Sequence, residues 1–143
     1  MKIISHRGNI FGLDPKRENM PTVIDECINM GFDVEVDVWV NNQIYYLGHD
    51  APKTPTTKEF LLREQLWCHA KNLDALYHML NDNIHCFWHE EDNFALTSRN
   101  IIWTYPDREI TDKSVLVTNT FPQKKCYGIC TDFPFKMRNE KDS

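Results

Sequence analysis

Eight short apolar runs recur along the chain, and each stops abruptly at polar or charged residues: Lys2–His6, Phe32–Trp39, Gln43–His49, Leu66–Lys71, Ile84–His89, Asn100–Tyr105, Ser114–Thr118 and Tyr127–Asp132. Runs of this length, rich in Val, Ile, Tyr, Phe and Trp, read as strands. Only three stretches between them show helical spacing. Thr22–Gly31 places Val23, Ile24, Cys27 and Ile28 on one side, with Thr22 as the expected cap and Gly31 as the stop. Thr56–Glu64 is short, with Thr56 or Thr57 to cap it, and Asn72–Asp82 spaces Leu73, Leu76, Tyr77 and Leu80 helically. Several continuous apolar strands interleaved with helices predict a parallel α/β fold. A full eight-fold βα barrel takes ~250 residues. With 143 residues, the expected form is a compact, trimmed (β/α)8 TIM-type barrel with several outer helices shortened or missing. An open α/β sheet is the alternative. One domain is expected over 1–135, followed by a polar tail at 136–143.

Composition narrows the function. Hydrophobic residues make up 41% of the chain and aromatics 12%, values of a globular domain with a core. A net charge of −5 argues against binding nucleic acid through phosphate neutralisation. No apolar run approaches the ~20 residues of a membrane span, and the opening residues lack the apolar segment of a signal peptide. Cys27, Cys68, Cys86, Cys126 and Cys130 are odd in number and irregular in spacing, which suits reduced thiols in a cytoplasm. Cys126 and Cys130 lack two further ligands nearby and read as plain thiols. Missing outer helices would leave strand faces to cover, either by packed loops or by association as a homodimer.

In a βα barrel, functional side chains gather at the C-terminal strand ends. That rule selects His6 and Arg7 after the first strand, Glu35 and Asp37 on one face of the second, and His49 with Asp50 after the third. It also selects His69 and Lys71, two apart on the fourth, and the run His89-Glu90-Glu91-Asp92 after the fifth. A Glu-x-Asp pair on a strand is more often a solvated face. Here the carboxylates alternate with Val34, Val36 and Val38, so one face packs while the other points inward. Two buried carboxylates imply a cation between them, and hard oxygen ligands suit Mg²⁺ or Ca²⁺. Two imidazoles can pass protons in both directions near neutral pH. Arg7 and Lys71 supply fixed positive charge for a phosphate oxygen. Together these groups describe phosphodiester chemistry.

The same residues resemble the glycerophosphodiester phosphodiesterase family, part of the phosphatidylinositol-phospholipase-C-like superfamily. "ISHRGN" resembles the family's His-Arg-Gly opening, and "RENMPTVIDECINMGFDVEVDVWV" its Glu-Asn turn, helix and Glu-x-Asp strand. "QIYYLGHD" is similar to its second-histidine strand, and "YGICTDFP" to its closing Gly-Ile-x-Thr-Asp-x-Pro. The resemblance implies His6 and His49 as the acid/base pair, Arg7 and Lys71 on phosphate, and Glu35 and Asp37 on a divalent ion. Glu18 would be a carboxylate at or just behind the metal, orienting Arg7. The departure is at "CHAKN", where the family carries an acid two residues before the lysine and this chain has His69. Either His69 is a ligand and shifts preference toward Mn²⁺ or Zn²⁺, or the Glu90–Asp92 run, with His89, supplies the lost carboxylate.

The expected activity is metal-dependent hydrolysis of a small, glycerophosphodiester-like phosphodiester. The alternatives are a catalytically reduced barrel that binds a phosphorylated metabolite or sugar without turnover, and a lyase-like cyclisation. Trp39, Tyr45, Tyr46, Trp67, Trp88 and Trp103 read as core. His78 reads as a surface residue, and His85 is assigned no role.

Overall fold

A computed structural model describes residues 1–143. Its longest strand, β2 (Asp33–Asn41), alternates apolar and acidic residues. A period of two puts Val34, Val36, Val38 and Val40 on one face and Asp33, Glu35 and Asp37 on the other. The valine face is buried with Ile24 and Cys27 of α1 (Pro21–Asn29) and Ala75 and Met79 of α3 (Leu73–Asn81). The opposite face lines the concave side of the sheet, where Ile4, Trp67, Phe87, Trp103, Val115 and Cys130 form a second cluster. A third lies under α4 (Pro134–Asp142), where Met137 packs on Ile3, Phe32 and Ile129.

The remaining elements are β1 (Lys2–His6), β3 (Ile44–Leu47), β4 (Thr54–Pro55), α2 (Lys58–Leu61), β5 (Leu66–Ala70), β6 (Cys86–Trp88), β7 (Phe94–Leu96), β8 (Ile102–Thr104), β9 (Ser114–Val117) and β10 (Gly128–Thr131). All ten strands share one mixed sheet in the order β4-β3-β2-β1-β10-β9-β8-β7, with β5 on the far edge of β2 and β6 beside β5. The sheet curls until β6 and β7 approach. There Ser98 N–H donates to Cys86 O (2.8 Å) and Cys86 N–H to Ser98 Oγ (2.9 Å), but no strand ladder closes the gap.

The expected (β/α)8 barrel is therefore wrong: the molecule is a curled half-barrel with four short helices. Turns stand where a barrel needs crossover helices. Asn42 and Gln43 both take left-handed φ, 50° and 66°. That pair makes the tight turn that suits a hairpin, so β3 folds back antiparallel on β2 instead of crossing over. β7 and β8 are likewise antiparallel. Strands β4 and β7 were not anticipated, since two or three residues carry no readable alternation.

Two helix expectations also change. Helix α1 starts at Pro21 rather than after a Thr22 cap; proline there needs no donor. The expected polar tail contains most of α4, anchored by buried Met137 and by Arg138, whose guanidinium lies 4.5 Å from the Phe32 ring centre. Of the two expected caps for α2 it is Thr57 that accepts from Phe60 N–H, and Asn72, not anticipated as a cap, accepts from Ala75 N–H at the start of α3. No helix is long and apolar enough to cross a membrane.

The N-terminal end of the concave face is plugged by polar residues. Trp67 Nε1–H donates to Asp33 Oδ2 (2.9 Å), and His85 Nε2 pairs with Thr97 Oγ1 (2.8 Å) while its ring centre lies 4.4 Å from that of Trp67. Burial, aided by Arg99, lowers the His85 pKa from 6.5 to about 4. The unfolded chain therefore takes this proton before the folded one does, and stability falls as pH drops through that window. Denaturant midpoints between pH 7.5 and pH 4 are expected to show a loss of about 3 kcal/mol that His85→Gln removes. An unchanged pH dependence in the variant would refute the assignment.

Candidate functional site

Three strands and one hairpin converge at the C-terminal ends of β1, β2 and β5. His6 of β1 lies beside Glu35 in the parallel ladder, and His69 of β5 lies beside Asp37. Hairpin strand β3 runs back along β2, with Leu47 opposite Val38, so the residues after it return to the level of Asp37. Gly48 N–H donates to Asp37 O (3.2 Å), and Trp39 Nε1–H holds Gly48 O (2.7 Å), which places His49 over the carboxylate. A Cβ at Gly48 would run into the Ala51 carbonyl oxygen, so this turn requires glycine. After β1 the chain turns through Arg7 at a left-handed φ of 58°, its N–H donating to Glu35 O (2.9 Å). A non-glycine residue there is strained by roughly 1–2 kcal/mol.

Asp37 is the hub, with its side chain only 1% exposed. Its Oδ2 accepts from Asn19 Nδ2 (3.0 Å) and faces Arg7 Nε (3.2 Å) and His49 Nδ1 (3.4 Å). Its Oδ1 faces His69 Nδ1 at 3.4 Å. Burial alone would raise this carboxyl; the close approach of His49 and His69, with Arg7 and Asn19, outweighs burial and holds it far below the usual range. Glu35 goes the other way. Burial and the charge of Asp37 push it well above its ordinary value, and Arg7 and Lys71 offset this only in part. Glu35 Oε1 and Asp37 Oδ1 are buried and accept no hydrogen bond.

The imidazoles flank this pair. His6 Nδ1 bonds Asp132 Oδ1 (2.8 Å), leaving Nε2 to face Glu35 Oε1 at 3.9 Å. Burial would raise Asp132, but hydrogen bonds from His6, Asn119 and Asn9 hold it at about 2. Glu18 is bound by Arg7 Nη1 (3.4 Å) and Asn9 Nδ2 (2.9 Å), so it anchors the guanidinium rather than facing the two carboxylates. Half-buried Lys71 follows β5 on the side of His69, and its charge acts on Glu35 although it forms no ion pair. His69 Nε2–H donates to His89 O (3.1 Å), and its ring stacks on Phe87 with centres 5.1 Å apart. Glu35, Asp37 and His69 offer ligand atoms that all lie within 4.8 Å of one another.

The structure thus gathers His6, Arg7, Glu18, Glu35, Asp37, His49, His69 and Lys71, and leaves Asp92 outside. Glu90, Glu91 and Asp92 are exposed, and Asp92 participates only through its carbonyl, which accepts from His89 Nε2. The acidic run does not restore a carboxylate to the cluster. His89 contributes its own carbonyl to His69, and its ring stacks on Tyr105 with centres 3.9 Å apart. Of the expected core aromatics, Tyr45, Trp67 and Trp103 are buried, while Trp39, Tyr46 and Trp88 are half-buried.

Asp132, Asn9 and Asn19 escaped the sequence reading. Asp132 was legible by the rule that found His6, because it ends a strand. Its partner was not, since pairing β10 with β1 joins residues more than a hundred positions apart. Comparison with known proteins finds no matching family model, no matching curated protein and no matching solved structure.

Proposed function

We propose that this protein is a metal-dependent phosphodiesterase that hydrolyses a small phosphodiester. The observation that carries the reading is a pair of buried carboxylates, each with an oxygen that accepts no hydrogen bond (Glu35 Oε1 and Asp37 Oδ1), whose ligand atoms lie within 4.8 Å of one another and of a His69 ring nitrogen. Buried anions without donors are costly, and a divalent cation removes that cost. Glu35, Asp37 and His69 would hold it; when bound, such an ion polarises a phosphoryl oxygen and offsets developing negative charge.

The remaining steps belong to the side chains. Asp132 holds the Nδ1–H tautomer of His6, so Nε2 is free to take a proton from the attacking nucleophile. His49, 38% exposed with its Nδ1 3.4 Å from Asp37 Oδ2, would return a proton to the leaving alcohol. Arg7, fixed by Glu18 and Asp37, and Lys71, without a carboxylate partner, provide positive charge for the phosphate. The motif likeness to glycerophosphodiester phosphodiesterases supports a glycerophosphodiester-like substrate. The five free, buried cysteines suit a reducing cytoplasm.

The test is release of p-nitrophenol from bis(p-nitrophenyl) phosphate by metal-stripped protein resupplied with Mg²⁺, Ca²⁺, Mn²⁺ or Zn²⁺. Turnover restored by at least one ion is expected. No turnover with any ion, together with calorimetric binding of a phosphorylated ligand, would replace this reading with binding alone.

A further inference from the structure

We infer that Glu35, Asp37 and His69 form a site for a first-row transition ion of the Mn²⁺ or Zn²⁺ class, in preference to Mg²⁺ or Ca²⁺. The inference rests on reading these residues as a metal centre and deepens it. Its starting point is the orientation of one imidazole. His69 Nε2–H is committed to the His89 carbonyl at 3.1 Å, so the lone pair sits on Nδ1, 3.4 Å from Asp37 Oδ1 and 3.9 Å from Glu35 Oε2. A carbonyl behind a histidine is the arrangement that fixes a ligating tautomer and raises its basicity. Stacking on Phe87 holds the ring plane in place. The nitrogen donor is thus prepared in advance, and imidazole nitrogen favours first-row transition ions over the alkaline-earth ions, Zn²⁺ strongly and Mn²⁺ least among them.

The carboxylates point the same way. Asp37 Oδ2 is occupied by Asn19, Arg7 and His49, so Asp37 has only Oδ1 to give and binds through one oxygen. Ca²⁺ takes 6–8 oxygens, often with a bidentate carboxylate, and this cluster cannot supply them. His69 Nδ1 lies 3.4 Å from Asp37 Oδ1 and 3.9 Å from Glu35 Oε2, separations that two ligands about 2.0–2.2 Å from a shared ion can take. Binding would draw in the widest pair of the set, which lies within 4.8 Å, and three protein ligands leave open positions for water or substrate.

Calorimetric titration of the metal-stripped protein with each ion alone is expected to show Mn²⁺ and Zn²⁺ binding at least roughly ten-fold tighter than Mg²⁺ and Ca²⁺. Pulsed electron paramagnetic resonance of the Mn²⁺ form is expected to show coupling to a ¹⁴N ligand. His69→Glu should abolish that coupling and move the preference at least about ten-fold toward Mg²⁺. Equal or tighter Mg²⁺ or Ca²⁺ binding, or no ¹⁴N coupling in the unsubstituted protein, would overturn the inference, even where His69→Glu fails to fold. Hydrolysis tests the reading beneath it separately: nitrogen-ligated Mn²⁺ without turnover would remove the phosphodiesterase and leave the metal site.

Discussion

His6→Ala is expected to lower hydrolysis of a dialkyl phosphodiester by about 10²–10⁴-fold with little change in folding stability, because a positioned acid/base group contributes that much to rate. The residue sits at a strand end with 26% of its side chain exposed, so its removal leaves no large cavity. The leaving group separates the two imidazoles. p-Nitrophenolate departs with little help from a proton, so a general acid matters less for bis(p-nitrophenyl) phosphate than for a dialkyl diester. His6→Ala should therefore damage both reactions, and His49→Ala mainly the dialkyl one. Equal losses on both substrates for the two variants would refute the division of roles. Retained activity in both would refute the acid/base assignment altogether.

The second large effect concerns stability, and it has opposite signs at two neighbouring carboxylates. Asp37→Ala removes the buried carboxylate that faces the Arg7 guanidinium, and it orphans the Asn19 amide. Removing one partner of a buried ionic cluster costs about 3–5 kcal/mol. Urea midpoints should show a loss of that size. Glu35→Gln is expected to stabilise the metal-free protein by about 1 kcal/mol at pH 7, because burial and the Asp37 charge already oppose ionisation there. The sign follows from linkage. A carboxyl raised in the folded state costs stability above its unfolded value near 4.5, and the cost vanishes below it. The gain should thus be present at pH 7 and absent at pH 4. The same variant should lose the rise in melting temperature that added Mn²⁺ gives the parent. A destabilised Glu35→Gln at pH 7 would show that Glu35 is satisfied in the folded chain and is not waiting for a cation.

Local rules were enough for part of this molecule. Alternation in "DVEVDV" determined that Glu35 and Asp37 share a face and that the valines share the other, since a strand has no other periodicity. Placement after an apolar run marked His6 and His49 as strand-end groups. The Thr56-Thr57 pair announced a helix start because a side-chain oxygen satisfying a free N–H is a local event, and Thr57 is the residue that caps.

Closure and partnership were not local. Whether eight apolar runs make a closed barrel or a curled half-barrel depends on what joins each strand to the next. Two residues with left-handed φ at Asn42 and Gln43 turned an expected parallel strand into a hairpin. That hairpin is also what carries His49 back to Asp37. In the same way, Asp132 reaches His6 only because β10 pairs with β1, and the Glu90–Asp92 run stays outside because its loop is solvated. The sequence by itself determined which residues carry charge, which face of a strand they share and where strands stop. Tertiary structure alone decided which of these groups are buried without hydrogen-bond partners. Burial and desolvation arise only when distant strands pack together, and they are what turn two ordinary carboxylates and a histidine into a candidate metal site.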